Sequence, residues 1–205
     1  MKKTKKGLFI VLEGADYSGK STLSDLLEKE LRKKGRRAVS FYDPFIEDFR
    51  IKSIKDAILD KANKDNPFAI ASLFAAARNV LYYDYIEPRL MDGQDIICDR
   101  YKLSSYVYQN KAGCSYEFLD SINKMPDPDI ILYLSISADE FKKRKTQRGQ
   151  ADSLDPSSVD DFLDLQSRYE ELLYSTNRCR FVYLDGNKSK NNLVEDAMKT
   201  LKTLM

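Results

Sequence analysis

An apolar run of strand length, a glycine-bounded loop and an amphipathic helix follow one another without a gap between Leu8 and Gly35. Leu8-Phe9-Ile10-Val11-Leu12 has the uninterrupted apolar character of a strand buried on both faces of a parallel sheet. The loop Gly14-Ala15-Asp16-Tyr17-Ser18-Gly19-Lys20-Ser21 fits G-x-x-x-x-G-K-[ST], in which backbone N–H groups wrap a nucleotide's phosphates. After it, Leu23, Leu26, Leu27 and Leu31 recur at helical spacing, Asp25, Glu28 and Lys29 fill the outer face, and Gly35 stands where a left-handed cap would end the helix. The order predicts an α/β fold that binds ATP or GTP at residues Gly14, Ala15, Asp16, Tyr17, Ser18, Gly19, Lys20, Ser21 and Thr22. The helix N-terminus contributes partial positive charge and Lys20 a full one, while Ser21 is the expected ligand of the magnesium ion that bridges the phosphates. The bland alternative is a glycine-rich structural turn.

Composition limits the remaining possibilities. A chain of 205 residues with 42% hydrophobic content suits one domain spanning 1–205. Its 34 basic and 32 acidic residues give a formal charge of +2, which argues against a nucleic-acid partner. Cys98, Cys114 and Cys179 are odd in number and widely spaced, favouring buried thiols in a reducing cytoplasm. The basic start, Lys2 to Lys6, precedes an apolar run too short for an export signal, and no stretch reaches the ~20 apolar residues of a membrane helix. Absence of histidine removes Ser-His triads and imidazole acid–base chemistry. Phosphoryl transfer survives that loss, because it rests on positioning and charge stabilisation.

Four further β-rich runs, at 38–42, 95–98, 130–134 and 181–184, alternate with helical patterns and predict a five-stranded parallel sheet covered on both faces. Asn66-Pro67 supplies an N-cap and a first-turn proline for a helix running from Phe68 to Leu90, in which Pro88 is expected to kink or end the helix. Phe74 and Arg78, four apart, share one face of it. They read either as a core ring beside a surface arginine or as an aromatic plane and a five-donor fork projecting into one space. A capping box at Ser137 and Glu140 opens another helix, which carries Arg144 and Arg148 before Gly149. The polar stretch 150–157 follows, then a helix with Phe162, Leu165, Tyr169, Leu172 and Leu173. This is the pattern of a lid at about 144–157 closing over phosphates; the arginines read equally as a solvated face.

Asp99-Arg100-Tyr101 directly follows the third run, and the chain continues Lys102-Leu103-Ser104-Ser105-Tyr106-Val107-Tyr108-Gln109. Together with Glu13 to Ser21, Leu73 to Arg78, Pro128 to Leu134 and Arg144 to Gly149, this series of motifs resembles the thymidylate kinase family over nearly the whole chain. The resemblance implies a P-loop NTPase fold, three-layer α/β/α with a short lid, and transfer of the γ-phosphoryl group of ATP to dTMP by a cytoplasmic homodimer using Mg2+. It implies that Phe74 stacks on thymine, Arg78 hydrogen-bonds its exocyclic oxygen, and Ser105 and Tyr108 complete the nucleoside pocket; Tyr101, Ser105 and Tyr108 share a face if that segment is helical. Arg100 clamps the dTMP phosphate, Asp16 positions the 3′-hydroxyl, and Asp99 joins Ser21 at the metal.

Two departures from the family pattern stand out. Some members carry a catalytic arginine inside the glycine loop, where this chain has Tyr17; Arg148, supported by Arg144, matches the version in which the lid supplies that charge. After the second run the chain reads Asp43-Pro44-Phe45-Ile46-Glu47-Asp48-Phe49-Arg50 instead of the common acceptor loop, so that Asp43 faces the acceptor and either Arg50 or Lys55 replaces the arginine usually nearby. Two rival readings remain. A deoxynucleoside kinase would use Asp43 as the base for a 5′-hydroxyl, whereas a monophosphate offers an oxygen already ionised. A non-catalytic nucleotide switch would not need a second, base-sized pocket, and Asn187-Lys188-Ser189-Lys190 lacks the final acid of a guanine-reading element.

Overall fold

The structure is a computed structural model describing residues 6–60, 63, 65–149, 155–175 and 180–205. Among them five parallel strands, β1 (Phe9–Glu13), β2 (Ala38–Tyr42), β3 (Asp95–Asp99), β4 (Ile130–Ser135) and β5 (Phe181–Asp185), form one sheet in the order β2-β3-β1-β4-β5. The apolar run at β1 lies at its centre, Val11 registering with Cys98 on one side and Ile131 on the other.

Alternation along the strands divides the core between two faces. Ile10, Leu12, Ile97, Leu132 and Leu134 pack with Leu23, Leu27 and Leu31 of α1 (Lys20–Lys33) and with Leu193, Ala197 and Met198 of α9 (Lys190–Leu201). Phe9, Val11, Ile96, Cys98, Ile131 and Tyr133 point the other way. They meet α3 (Pro67–Val80), α5 (Lys102–Lys111), α6 (Tyr116–Ile122) and α8 (Val159–Ser175). The result is the three-layer α/β/α arrangement expected from the sequence. Elements α2 (Phe49–Leu59), which packs on α3, and α7 (Ala138–Arg148) complete the frame around the C-terminal edge of the sheet. No helix of the described residues is long and apolar enough to cross a membrane. Cys98 and Cys114 are buried free thiols; Cys179 lies outside the described residues, as does 150–154 of the expected lid.

Three local expectations need correction. The helix expected from Phe68 to Leu90 runs through to Met91 but is not regular: α3 passes into a π turn at Leu81–Ile86 and then α4 (Glu87–Met91). Pro88 has no N–H for the Asp84 carbonyl and its ring would crowd that carbonyl, so the helix widens just before it. The capping box at Ser137 is only half made. Ser137 accepts from the Glu140 N–H at 3.2 Å, but Glu140 turns to Arg144, and the Ser137 N–H goes instead to Asn187 Oδ1 at 3.0 Å. Tyr101 does not share the cleft-facing side with Ser105 and Tyr108. It is the extended N-cap position of α5, its ring packs edge-on to Phe9, and its hydroxyl donates to the Pro126 carbonyl.

Candidate active site

The C-terminal ends of the strands open onto a cleft of about 1140 Å³, running from the glycine loop to Phe74 and Arg78. Crevices at this edge are where open α/β sheets hold ligands. The loop after β1 takes a shape that glycine alone permits at one point: Gly14 has φ +143°, and a Cβ there would lie 2.3 Å from the Leu134 carbonyl oxygen. Gly19 caps α1 without a side chain, leaving first-turn N–H groups for an anion. Lys20 is buried, and its Nζ donates to the Ala15 carbonyl at 2.9 Å. Burial, reinforced by the charge of Arg100, brings its ammonium down to about 8.

Ser21 Oγ donates to Asp99 Oδ2 at 2.5 Å, while Asp99 Oδ1 is buried and accepts no hydrogen bond from the described residues. A hydroxyl and one carboxylate with an unused oxygen are the hard oxygen donors that magnesium takes beside nucleotide phosphates. Among the described residues no cluster of three or more acidic, cysteine or histidine side chains offers a dedicated metal cage.

Arg100, directly after β3, holds a left-handed backbone (φ +70°) that a non-glycine residue adopts only when its surroundings enforce it. Glu13 supplies that enforcement. Fully buried at the end of β1, it accepts from the Tyr101 N–H at 3.0 Å and from Ser104 Oγ at 2.8 Å. The Tyr169 hydroxyl, from α8, donates to the same carboxylate at 3.2 Å and accepts from Arg100 Nη1 at 3.0 Å. Arg100 Nη2 pairs closely with Asp16 Oδ1, and the Tyr108 hydroxyl donates to Asp16 Oδ2 at 2.7 Å. Burial would raise the Asp16 carboxyl, but the charges of Arg100 and Lys20 and these hydrogen bonds hold it down at about 2.

At the other end of the cleft Arg78 is 2% exposed, not a surface arginine. Its Nε donates to Asp43 Oδ2 at 2.5 Å, and its Nη1 to Ser105 Oγ at 3.0 Å and Asn123 Oδ1 at 2.6 Å. Burial pushes the Asp43 carboxyl up against the pull of Arg78, and Asp43 Oδ1 has no partner among the described residues. Phe74, half-buried one turn before Arg78, lines the same cavity with Ser105 and Tyr108. Arg50 and Lys55, the two candidates for the acceptor side, sit in different surroundings. Arg50 is pinned by Asp48 at 2.7 Å and Asp84 at 2.8 Å, whereas Lys55 lines the cleft.

The two arginines of α7 differ in what they touch. Arg144 donates to the Tyr17 and Ser18 carbonyls, each at 2.9 Å, and to the Gly186 carbonyl at 2.7 Å, strapping the glycine loop to the turn after β5. Arg148 is half-exposed, lines the cleft, and lies with its guanidinium 5.3 Å from the Tyr17 ring centre. Sequence reasoning missed Glu13 and Tyr169 as partners of Arg100, and Asn123 as a partner of Arg78. Glu13 carried a signal, a carboxylate closing an apolar run; Asn123 and Tyr169 carried none.

A sequence-family model described as thymidylate kinase matches residues 12–197. The chain is 32% identical to a thymidylate kinase of Thermoanaerobacter sp. (strain X514) over 202 residues, covering 96% of this chain and 98% of that protein. It is 32% identical to a thymidylate kinase of Caldicellulosiruptor saccharolyticus over 207 residues, covering 98% of each. A probable thymidylate kinase of Pyrobaculum aerophilum is 39% identical over 145 residues, covering 70% of this chain and 72% of that protein.

Proposed function

Because this chain belongs to the thymidylate kinase family, we propose that it transfers the γ-phosphoryl group of ATP to dTMP, giving dTDP and ADP. The observation that carries the reading is a single cleft with a phosphate loop at one end and, at the other, a base-sized pocket with Phe74 and the buried fork of Arg78. The family relationship supports the reaction class; the residue roles rest on chemistry.

Lys20 and the first-turn N–H groups of α1 hold the donor's phosphates. Ser21 and Asp99 are the oxygen donors that would hold magnesium, which would supply neutralising charge at the nucleotide phosphates. Arg100, preset by Glu13 and Asp16, receives the acceptor phosphate, and Lys55 approaches it from α2. Phe74 stacks on the base, a contact worth ~1–3 kcal/mol. Arg78 commits Nε to Asp43 and Nη1 to Ser105 and Asn123, and these contacts orient the guanidinium so that Nη2 can reach an exocyclic oxygen. The acceptor oxygen is already ionised, so no base is required. Arg148 supplies positive charge as the phosphoryl group transfers, with Arg144 as its support through the loop. In this reading residues 1–205 are one kinase domain, with the lid at about 144–157, working as a homodimer in a reducing cytoplasm; the buried thiols of Cys98 and Cys114 support that compartment.

A second reading, a deoxynucleoside kinase, is favoured by one observation: Asp43 is buried, its carboxyl is raised, and Oδ1 is unpartnered. The test compares turnover on dTMP, dUMP, dGMP, dCMP and thymidine by coupled ADP release. Preference for dTMP supports the proposal; preference for thymidine transfers the activity to the nucleoside and makes Asp43 its base.

A further inference from the structure

The geometry points to Tyr17, the residue in the glycine loop where some relatives carry an arginine, as the seat on which Arg148 is positioned for phosphoryl transfer, a proposal that rests on Arg148 supplying the transition-state charge. Three contacts converge on this side chain. Its ring faces the Arg148 guanidinium at 5.3 Å, within the range of a cation–π attraction. It packs at right angles to Phe141 of α7 with ring centres 5.4 Å apart, and Phe141 stacks on Phe162 of α8 at 4.2 Å, which links the ring through Phe141 to both helices. Its hydroxyl donates to Asp155 Oδ2 at 2.7 Å, four residues before α8. Burial and the Asp155 carboxylate hold that phenol protonated, its pKa pushed up to about 12, so the donor persists at any working pH.

Tyr17 therefore joins the phosphate loop to Arg148 at the end of α7 and to Asp155, four residues before α8. It adopts a left-handed backbone (φ +68°) that Arg144 secures by binding the Tyr17 and Ser18 carbonyls. Without the ring, Arg148 is a long side chain, 56% exposed, that keeps among the described residues a distant ion pair at 3.8 Å to Asp155. An arginine so weakly held samples many rotamers, and ordering it at the moment of transfer costs rate, not substrate affinity. Tyr17 is a positioning residue: it acts on the reaction through Arg148.

The experiment is a double-mutant cycle in the full chain with Tyr17→Phe, Tyr17→Leu, Arg148→Ala and the double variant Tyr17→Leu/Arg148→Ala, reading kcat, KM for dTMP and Kd for MgATP. Phe and Leu meet the left-handed backbone as Tyr does, so folding is not the variable, and melting temperatures check this. Tyr17→Leu is expected to lower kcat about tenfold with both affinities changed less than about threefold, and Tyr17→Phe, which keeps the ring, to lose less. In the Arg148→Ala background Tyr17→Leu should cost no more than about twofold, because the residue it positions is gone. An equal loss in both backgrounds, or a Tyr17→Leu enzyme turning over within about twofold of the parent, overturns the proposal. Failure of the underlying reading looks different: Arg148→Ala alone would then retain parental turnover.

Discussion

Arg78→Met tests whether the base-reading arginine is also the charge that makes Asp43 tolerable inside the protein. Methionine keeps most of the length and apolar volume, so the change removes charge and donors with little cavity. Both partners of the pair are essentially inaccessible, 2% and 1% exposed at their side chains. Asp43 Oδ1 is unpartnered even in the parent, so losing Arg78 leaves a buried carboxylate with no donor on either oxygen. Breaking a buried pair in this way costs about 3–5 kcal/mol. Orphaning Asn123 Oδ1 adds about 1 kcal/mol. For a protein of this size each kcal/mol moves the midpoint about 2–4 °C, so the variant should melt roughly 10–20 °C below the parent near pH 8.

The sign of the pH dependence separates this account from mere mispacking. Asp43 already has its pKa raised by burial, and without Arg78 the folded value rises further above the unfolded ~3.9. Folding then favours the protonated carboxyl, so the deficit relative to the parent shrinks as pH falls through the variant's Asp43 pKa. Adding Asp43→Asn should recover more than half of the lost stability at pH 8. Thermal denaturation of parent, single and double variants at pH 5.5 and 8 measures all of this. A variant melting within about 2 °C of the parent at pH 8, or a deficit that grows on acidification, would refute the reasoning.

Other consequences follow from the same geometry. Arg148→Ala should lower kcat by about 10³-fold or more with KM for ATP and dTMP little changed, read by steady-state coupled assay; an effect confined to KM contradicts its role. Lys20, brought down to about 8 in the free protein, binds phosphate in its charged form. The Kd for MgATP should therefore be flat below pH 8 and rise above it; titration calorimetry from pH 6.5 to 9.5 checks the bend, and a flat profile rejects it. Lys55→Ala should raise KM for dTMP about tenfold and leave that for ATP alone, whereas Arg50→Ala should spare both, its charge being committed to Asp48 and Asp84. Asn123→Ala should destabilise the chain by about 1–3 kcal/mol and raise KM for dTMP, because Arg78 loses one of its three anchors.

Much of the fold was legible because it is written locally. The central strands β1, β3 and β4 coincide with apolar runs, since a sheet covered on both faces tolerates no polar alternation at its centre, and the partly exposed edge strands β2 and β5 remained recognisable by their aromatic and β-branched residues. The Asn66 cap and Gly35 (φ +77°) sit where side-chain and backbone chemistry demand. The glycine loop and the Asp99-Arg100 step were legible as motifs. What escaped notice depends on contacts distant in sequence: Asn123 lies 45 residues from Arg78, and Tyr169 lies 69 from Arg100. Neither residue type at its position has a period or spacing that announces a partner. The half-made box at Ser137 failed for the same reason, since Asn187, 50 residues away, competed for the N–H that Glu140 was expected to take. The π turn at Leu81–Ile86 was not legible, because a proline at 88 is compatible with a kink, an end or a local widening and pattern alone does not choose between them.

The central claim is phosphoryl transfer to a monophosphate, and the most direct measurement is the identity of the product. Incubated with ATP, magnesium and dTMP and followed by 31P NMR, the enzyme should produce dTDP and ADP in equal amounts, with ATP unchanged when dTMP is omitted. Inorganic phosphate released at the same rate with or without dTMP would contradict the account and leave a nucleotide-hydrolysing switch in its place.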